Sequence, residues 1–114
     1  MLFRSTSLAE EKAASLPQGH LRALGMAIGL ATHPQVLLLD EPFAGLSREE
    51  RAAVGQLIAG IPRETTLVMI EHDMDVALDL AERITVLHYG SVIVEGTRAE
   101  VVAHPKTREV YLGD

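Results

Sequence analysis

The spacing of hydrophobic residues changes along this chain, and the first change separates a helix from a strand. From His20 to Thr32, apolar residues recur at steps of three and four, the spacing that places them on one helix face. Those residues are Leu21, Leu24, Ile28 and Ala31. Pro34 ends the predicted helix, because the residue before a proline is pushed out of the α region. The aliphatic run from Val36 to Leu39 is too short for a helix and predicts a parallel strand covered on both faces.

A capping signal opens the second helix. Ser47 and Glu50 have the spacing of a capping box, in which the serine caps the first turn and the glutamate bonds back to the serine. The residues of this helix expected to face the core are Val54, Leu57 and Ile58. The segment from Thr66 to Ile70 is apolar and rich in β formers, and it predicts the second strand.

The following pattern predicts a third helix and a hairpin. Asp73 is expected to cap a helix that runs to about Glu82. The inward-facing residues of that helix are expected to be Ala77, Leu78 and Ala81. Two further strands, Ile84 to Leu87 and Ser91 to Val94, flank the dipeptide Tyr89-Gly90, which is the pattern of a β-hairpin.

Short helices complete the predicted fold. Thr97 with Glu100 repeats the capping-box spacing, and Pro105 can begin a last short helix. Helices and strands alternate through most of the chain, an order typical of parallel strands joined by crossover helices. The predicted fold class is therefore α/β, with a hairpin and short helices at the C-terminal end.

Composition and charge exclude several classes of function. The net charge of −6 argues against general binding to nucleic acid backbones, which uses clustered Lys and Arg. With no cysteine, the chain has no disulfide, no thiolate catalysis and no cysteine-ligated zinc, which agrees with a cytosolic location. No run reaches the roughly 20 apolar residues of a membrane helix, so we expect no direct membrane insertion.

Two adjacent carboxylates follow the first predicted strand. The carboxyl ends of strands are where open α/β sheets bind their ligands. On an extended chain, Asp40 and Glu41 point in opposite directions, so one can hold magnesium while the other orients or deprotonates an attacking water. The alternative is a strand end that merely exits to solvent.

Two weaker signals accompany this pair. His72 follows the second predicted strand, and parallel pairing would bring it to the same sheet edge as Glu41, where a neutral histidine can hydrogen-bond a terminal phosphate. Gly19 precedes a helix, whose free N–H groups can bind an anion. The alternatives are a histidine bonded to backbone and a simple turn before a helix.

A site for nucleotide hydrolysis normally also has a phosphate-binding loop of the form G-x-x-x-x-G-K-[ST]. No such loop occurs in the sequence. Its lysines are Lys12, which follows Glu11, and Lys106, which follows Pro105.

Taken in order, these segments resemble the second half of an ATP-binding cassette (ABC) ATPase, a P-loop NTPase, from about Leu8 to the C-terminus. The segment Leu16-Pro17-Gln18-Gly19-His20 occupies the place of the family's signature, Leu-Ser-Gly-Gly-Gln. Val36 to Asp40 looks like its Walker B strand, and Ala44-Gly45-Leu46-Ser47 matches its D-loop. The chain departs from the family where Pro17 replaces the signature serine and Ser47 the D-loop aspartate.

The resemblance implies a role for each candidate residue. Asp40 would bind magnesium, Glu41 would be the catalytic glutamate, and His72 would be the catalytic switch histidine that contacts phosphate. The residues that would contact ATP are Pro17, Gln18, Gly19, His20 and Ser47. The implied cofactors are therefore ATP and Mg²⁺.

The end of the chain is similar to a narrower group. Residues 96–114 resemble the C-terminal tail of ATPase subunits that serve branched-chain amino acid importers, which leaves residues 1–95 as a partial ABC ATPase domain. The resemblance implies that a second ATPase subunit and membrane permease subunits are the partners. It also implies a cytoplasmic location, on the inner face of the cell membrane through the permease.

Because the phosphate loop belongs to the absent half, we expect the chain to be a truncated or split part of a longer ATPase and to be inactive alone. Three other functions stay open at this point. The chain can be a non-catalytic half-cassette that docks on a full ATPase, or part of an ABC ATPase of DNA repair or translation. It can also be an α/β domain without activity, whose carboxylates and histidine are surface residues.

Overall fold

The computed structural model describes residues 18–112, which form two compact units divided between Ile70 and Glu71. The first unit contains helix α1 (Gln18–Ala31), strand β1 (Val36–Asp40), helix α2 (Arg48–Ala59) and strand β2 (Thr66–Ile70). The second contains helix α3 (Met74–Leu80), strands β3 (Arg83–His88) and β4 (Ser91–Thr97), helices α4 (Arg98–Ala103) and α5 (Pro105–Thr107), and a π-helical turn (Arg108–Leu112). Pro17, the segment before it, and Gly113 and Asp114 lie outside the described residues.

Strands β1 and β2 pair in parallel, as the sequence predicts, with Asp40 opposite Ile70 at the carboxyl end. One face of this sheet is half-buried, and Gly29 of α1 lies beside Leu37 there. The other face carries Val36, Leu38, Val68 and Ile70, which are 54%, 71%, 44% and 59% exposed. The prediction of cover on both faces is therefore wrong for the described residues, because the side chains of this face stay largely exposed.

The face of α1 that packs inward differs from the predicted one. Leu21 is 39% exposed and Ile28 is 62% exposed, whereas the buried residues are Gly19, Ala23 and Met26. At the start of α1 the reason is the close approach of α2, because Glu50 leaves no room for a Cβ at Gly19. The buried hydrophobic residues of this unit are Ala23, Met26, Phe43, Val54 and Ile58. The prediction that α2 turns Val54 and Ile58 inward is confirmed.

The second unit is built on an antiparallel hairpin. Strands β3 and β4 are joined by Tyr89 and Gly90, which have φ angles of 49° and 77°. Positive φ at both positions is the requirement of a type I′ turn, so the predicted hairpin is confirmed. The core of the unit is formed by Ile84, Val86 and Val101, against which Met74, Leu78 and Ala81 pack. No helix among residues 18–112 has the length and hydrophobicity needed to cross a membrane.

Candidate functional site

The two candidate carboxylates lie at the end of β1. Asp40 is the last residue of the strand and its side chain is exposed. The N–H of Glu41 donates to the carbonyl oxygen of Ile70 at 2.8 Å, which extends the parallel ladder by one bond. Glu41 itself has a φ of 47°. The expectation that both residues are extended is therefore wrong at Glu41, where the backbone enters the left-handed region that non-glycine residues seldom adopt.

Backbone strain of this kind persists only where the surrounding structure holds it, and it is frequent at functional sites. Here the support comes from Arg22 on α1. Its Nη1 donates to the carbonyl oxygen of Pro42 at 2.8 Å and to that of Glu41 at 3.4 Å. The N–H of Ala44 donates to the Glu41 carbonyl oxygen at 3.2 Å. The backbone after β1 is thus fixed on both sides of Glu41.

The loop after Glu41 is anchored by buried side chains. Pro42 and Phe43 are buried, and the guanidinium carbon of Arg51 lies 5.6 Å from the centroid of the Phe43 ring. A cation at this distance from an aromatic face is weakly attracted to it. Gly45 has a φ of 73°, so it takes the backbone conformation that favours glycine. The loop therefore connects the candidate base to the start of α2 with a defined geometry.

The start of α2 confirms the predicted capping box. The Ser47 hydroxyl accepts a hydrogen bond from the Glu50 N–H at 3.2 Å, and Glu50 Oε1 accepts one from the Ser47 N–H at 2.9 Å. Ser47 thus has a structural role that accounts for its sequence spacing. Its contact with ATP stays a prediction.

The segment that occupies the place of the signature begins α1. Gly19 is buried, and its N–H donates to Glu50 Oε2 at 2.8 Å. The backbone hydrogen bonds from Ser47 and then from Gly19 lower the pKa of the Glu50 carboxyl, and the Ser47 hydroxyl and the nearby His20 act in the same direction. The predicted anion-binding amide of Gly19 therefore already has a carboxylate partner within the chain. The nucleotide contacts of Gln18, Gly19 and His20 stay predictions, and Pro17 lies outside the described residues.

His72 belongs to the second unit, two residues beyond the end of β2, and it is exposed. The next residue, Asp73, caps α3 as predicted, since its Oδ1 accepts hydrogen bonds from the N–H groups of Asp75 and Val76 at 3.1 and 3.5 Å. The role of His72 as a phosphate sensor stays a prediction.

The donor set fits magnesium only as part of a larger site. Among residues 18–112, no group of three or more His, Asp or Glu side chains is placed to hold a metal ion. Mg²⁺ is usually held by one or two carboxylates together with water and substrate phosphates, so the exposed Asp40 suits a single ligand of such a site. The nucleotide itself does not fit this chain alone, because the sequence has no Gly-Lys loop to grip phosphates.

Two contacts of this site, made by Arg22 and Glu50, were not predicted from the sequence. Arg22 is one residue along from the predicted apolar face of α1, and a lone arginine on a helix carries no sequence signal for a backbone contact near residue 42. Glu50 was identified as a capping residue, but its second bond reaches an amide 31 positions away. Local patterns extend over one helical turn and do not report such a contact.

Comparisons with known proteins agree on one group. The chain is 36% identical over 108 residues to the high-affinity branched-chain amino acid transport ATP-binding protein LivG of Salmonella typhimurium, covering 93% of this chain and 42% of that protein. It is 34% identical over 111 residues to BraF of Pseudomonas aeruginosa, which has the same descriptive name, covering 96% and 44%. A methionine import ATP-binding protein, MetN of Caulobacter vibrioides, is 43% identical over 94 residues, covering 81% and 28%. No family model matches the sequence.

The fold comparison points the same way. The crystal structure of the ADP conformation of an ATP-binding cassette from an ABC transporter superposes with a TM-score of 0.80 at 26% identity, covering 98% of this chain and 46% of that one. The chain therefore spans less than half the length of the curated relatives and of the solved cassette. Similarity along nearly all of its length shows that this chain has the fold of part of an ABC-transporter ATP-binding cassette and resembles such proteins in sequence.

Proposed function

We propose that this chain carries the magnesium-binding and water-activating part of the ATPase subunit of an amino acid importer. The observation that supports it most is the Asp40-Glu41 turn. A carboxylate ends a parallel strand, and the next residue is held at a φ of 47° by contacts from β2 and α1. A functional constraint explains such a backbone conformation better than an ordinary exit to solvent does, because the strained conformation has an energetic cost.

The proposed division of roles is the one that the resemblance to ABC ATPases implies. Asp40 is exposed at the strand end and would serve as a magnesium ligand. Glu41 would orient an attacking water and accept its proton, and His72 would donate a hydrogen bond to the terminal phosphate. Pro17, Gln18, Gly19, His20 and Ser47 would contact the nucleotide bound by a second ATPase subunit. The bound Mg²⁺ would neutralise charge that develops on the phosphates.

Branched-chain amino acids are the proposed substrates of the transporter. Two relatives whose names give that substrate align over 93% and 96% of this chain, whereas the methionine importer protein aligns over 81% at higher identity. The proposed partners are a second ATPase subunit and the membrane permease, and the proposed location is the cytoplasmic face of the cell membrane. Nucleic acid is not a proposed partner, because the net charge is −6.

A chimera tests the catalytic proposal. The matching portion of LivG is replaced by this chain, so that the remainder of LivG supplies the absent part, and magnesium-dependent ATP hydrolysis is measured. We expect activity in the chimera, its loss in Glu41→Gln, and no activity of the isolated chain. The matched control is Glu49→Gln, an exposed acidic residue on the first turn of α2 that should leave the activity unchanged.

Two outcomes would contradict the proposal. One is a folded chimera that binds nucleotide but retains full activity in Glu41→Gln. The other is magnesium-dependent turnover by the isolated chain that Glu41→Gln abolishes, which would show that no further cassette segment is required.

A second candidate is a half-cassette that docks on an intact ATPase without catalysing hydrolysis. The exposed apolar face of the β1–β2 sheet favours it, since parallel sheets are normally covered on both sides. Mixing the chain with an intact cassette, and measuring both association and ATPase rate, separates the two functions. Association that changes the rate equally with wild-type chain and Glu41→Gln supports the docking role.

A further inference from the structure

The carboxylate of Glu50 joins two helices. Its Oε1 accepts the N–H of Ser47 at 2.9 Å, within the capping box of α2. Its Oε2 accepts the N–H of Gly19 at 2.8 Å, on the first turn of α1. One side chain thus binds backbone donors at the start of both helices.

The bond to Gly19 is not a by-product of capping. Glu100 forms the same kind of box with Thr97 at the start of α4, with its Oε1 2.8 Å from the Thr97 nitrogen. Among the described hydrogen bonds, the Glu100 carboxylate bonds to no amide of another helix. The capping box of α2 therefore did not require the second bond of Glu50.

The second bond depends on glycine at position 19. A Cβ added to Gly19 would lie 2.6 Å from Glu50 Oε2 and 2.8 Å from Glu50 Cβ. Contacts this short are not tolerated, so the approach of the two helices is possible only without a side chain. A buried glycine and an acidic side chain at matching places form a specific joint between α1 and α2.

We propose that Glu50 is a positioning residue that holds the first turn of α1 against the first turn of α2, so that the segment Gln18 to His20 and the loop 41–47 move as one body. Arg22 provides a second connection between the same parts, through its bond to the Pro42 carbonyl oxygen at 2.8 Å. The meaning of this joint for ATP hydrolysis rests on the proposed function, in which one segment contacts nucleotide and the other carries Glu41.

The charge state of Glu50 controls the joint. An ionised carboxylate accepts both backbone N–H groups in charge-assisted hydrogen bonds, whereas protonation removes the charge that strengthens both of them. His20 is the ionisable group of α1 that interacts with Glu50, and its positive form also favours the ionised carboxylate. On α2 itself, Glu49 and Arg51 flank Glu50 in sequence. Acidification is therefore expected to loosen both ends of the joint together.

Amide NMR of the full ¹⁵N-labelled chain tests the proposal without nucleotide, so its failure is distinguishable from a failure of the proposed function. In the wild type, the amide shifts of Gly19 and Ser47 should follow one common titration as pH is lowered. In Glu50→Ala, hydrogen exchange of the Gly19 amide should accelerate by about tenfold or more, as expected for the loss of a bond to a charged group. The matched control Glu49→Gln should leave that exchange rate unchanged.

Relaxation dispersion supplies the readout for positioning. In Glu50→Ala, the amides of Gln18 to His20 should show conformational exchange on the microsecond to millisecond timescale, whereas in the control Glu49→Gln they should not. The proposal is overturned if the chemical shift of the Gly19 amide does not change over the pH range in which the Ser47 amide titrates. Glu50 would then be only a cap of its own helix. The wild-type titration gives this answer even if Glu50→Ala fails to fold.

Discussion

The close approach of α1 and α2 makes opposite predictions for two glycines on the same helix. A Cβ at Gly19 would lie 2.6, 2.7 and 2.8 Å from Oε2, Cγ and Cβ of Glu50. A Cβ at Gly25 would meet nothing within 4 Å among the described residues. Gly19→Ala and Gly25→Ala therefore add the same methyl group to one helix in two different surroundings.

The sizes of the two effects can be worked out separately. Replacing glycine by alanine within a helix is worth about 0.5–1 kcal/mol, which at Gly25 is the whole effect. At Gly19 the Glu50 carboxylate can rotate away, but Glu50 Cβ cannot, so the helices must separate. The bond from the Gly19 N–H to a charged acceptor is then weakened, at a cost of about 1.5–3 kcal/mol. The helix gain is common to both substitutions, so we expect Gly25→Ala to stabilise the chain and Gly19→Ala to destabilise it, with a gap between them of about 1.5–3 kcal/mol.

Urea unfolding at neutral pH, followed by circular dichroism, measures both free energies of unfolding. Equal dependence on urea in the two variants is required, because a changed slope would report a change in the denatured state or in cooperativity. Stabilisation of the chain by Gly19→Ala to the same extent as by Gly25→Ala would refute the tight contact between α1 and Glu50.

Four further predictions concern other features of the molecule. Arg22→Ala should destabilise the chain by about 1–2 kcal/mol, because its hydrogen bonds to backbone carbonyls are lost. The stability of Arg22→Lys should lie between those of the wild type and Arg22→Ala. Equal urea midpoints for the wild type and both variants would count against this. The exposed apolar face of the β1–β2 sheet is expected to self-associate, so Leu38→Thr should reduce the scattered light, and unchanged scattering would contradict this. The same substitution should change stability by less than about 0.5 kcal/mol, because the side chain is largely exposed. Thr107→Val should stabilise the chain by about 1 kcal/mol in thermal melts, because the fully buried Thr107 hydroxyl has no partner in the described part of the chain. A lower melting temperature for this variant would contradict the prediction. Backbone hydrogen bonds at both capping boxes lower the pKa of Glu50 and Glu100 below the usual 4.5. The stability that these two carboxylates contribute is therefore fully present above pH 4.5. It is lost as the pH falls through their folded-state pKa values. Urea midpoints measured between neutral and acidic pH should show this loss. In the double variant Glu50→Gln with Glu100→Gln, the urea midpoint should depend less on pH.

Features encoded within one turn or one strand were predictable from the sequence. The capping box of Ser47 and Glu50 is formed, because its two hydrogen bonds join residues three positions apart. The hairpin at Tyr89 and Gly90 is formed, because the two-residue turn between apolar strands fixes its geometry locally. The carboxylate pair at the end of β1 was found in the same way, since four aliphatic residues before two acids mark a strand end.

Features that depend on packing between distant segments were not predictable. The periodicity of α1 indicated a face through Leu21 and Ile28, yet the helix buries Gly19, Ala23 and Met26. At Gly19 the reason is Glu50 of α2, which leaves no room for a side chain. The left-handed conformation of Glu41 is also a tertiary property, since the contacts that hold it come from a neighbouring strand and helix.

The sequence by itself determined the order of helices and strands, the candidate carboxylates and the absence of a phosphate loop, because each depends on neighbouring residues. Only the tertiary structure decided what surrounds those carboxylates. It placed Arg22 on the carbonyls beside Glu41 and the Glu50 carboxylate on the amide of Gly19, across 20 and 31 positions of sequence. Contacts between residues so far apart in sequence depend on how α1 packs. The hydrophobic spacing along one helix does not specify which segment packs against it.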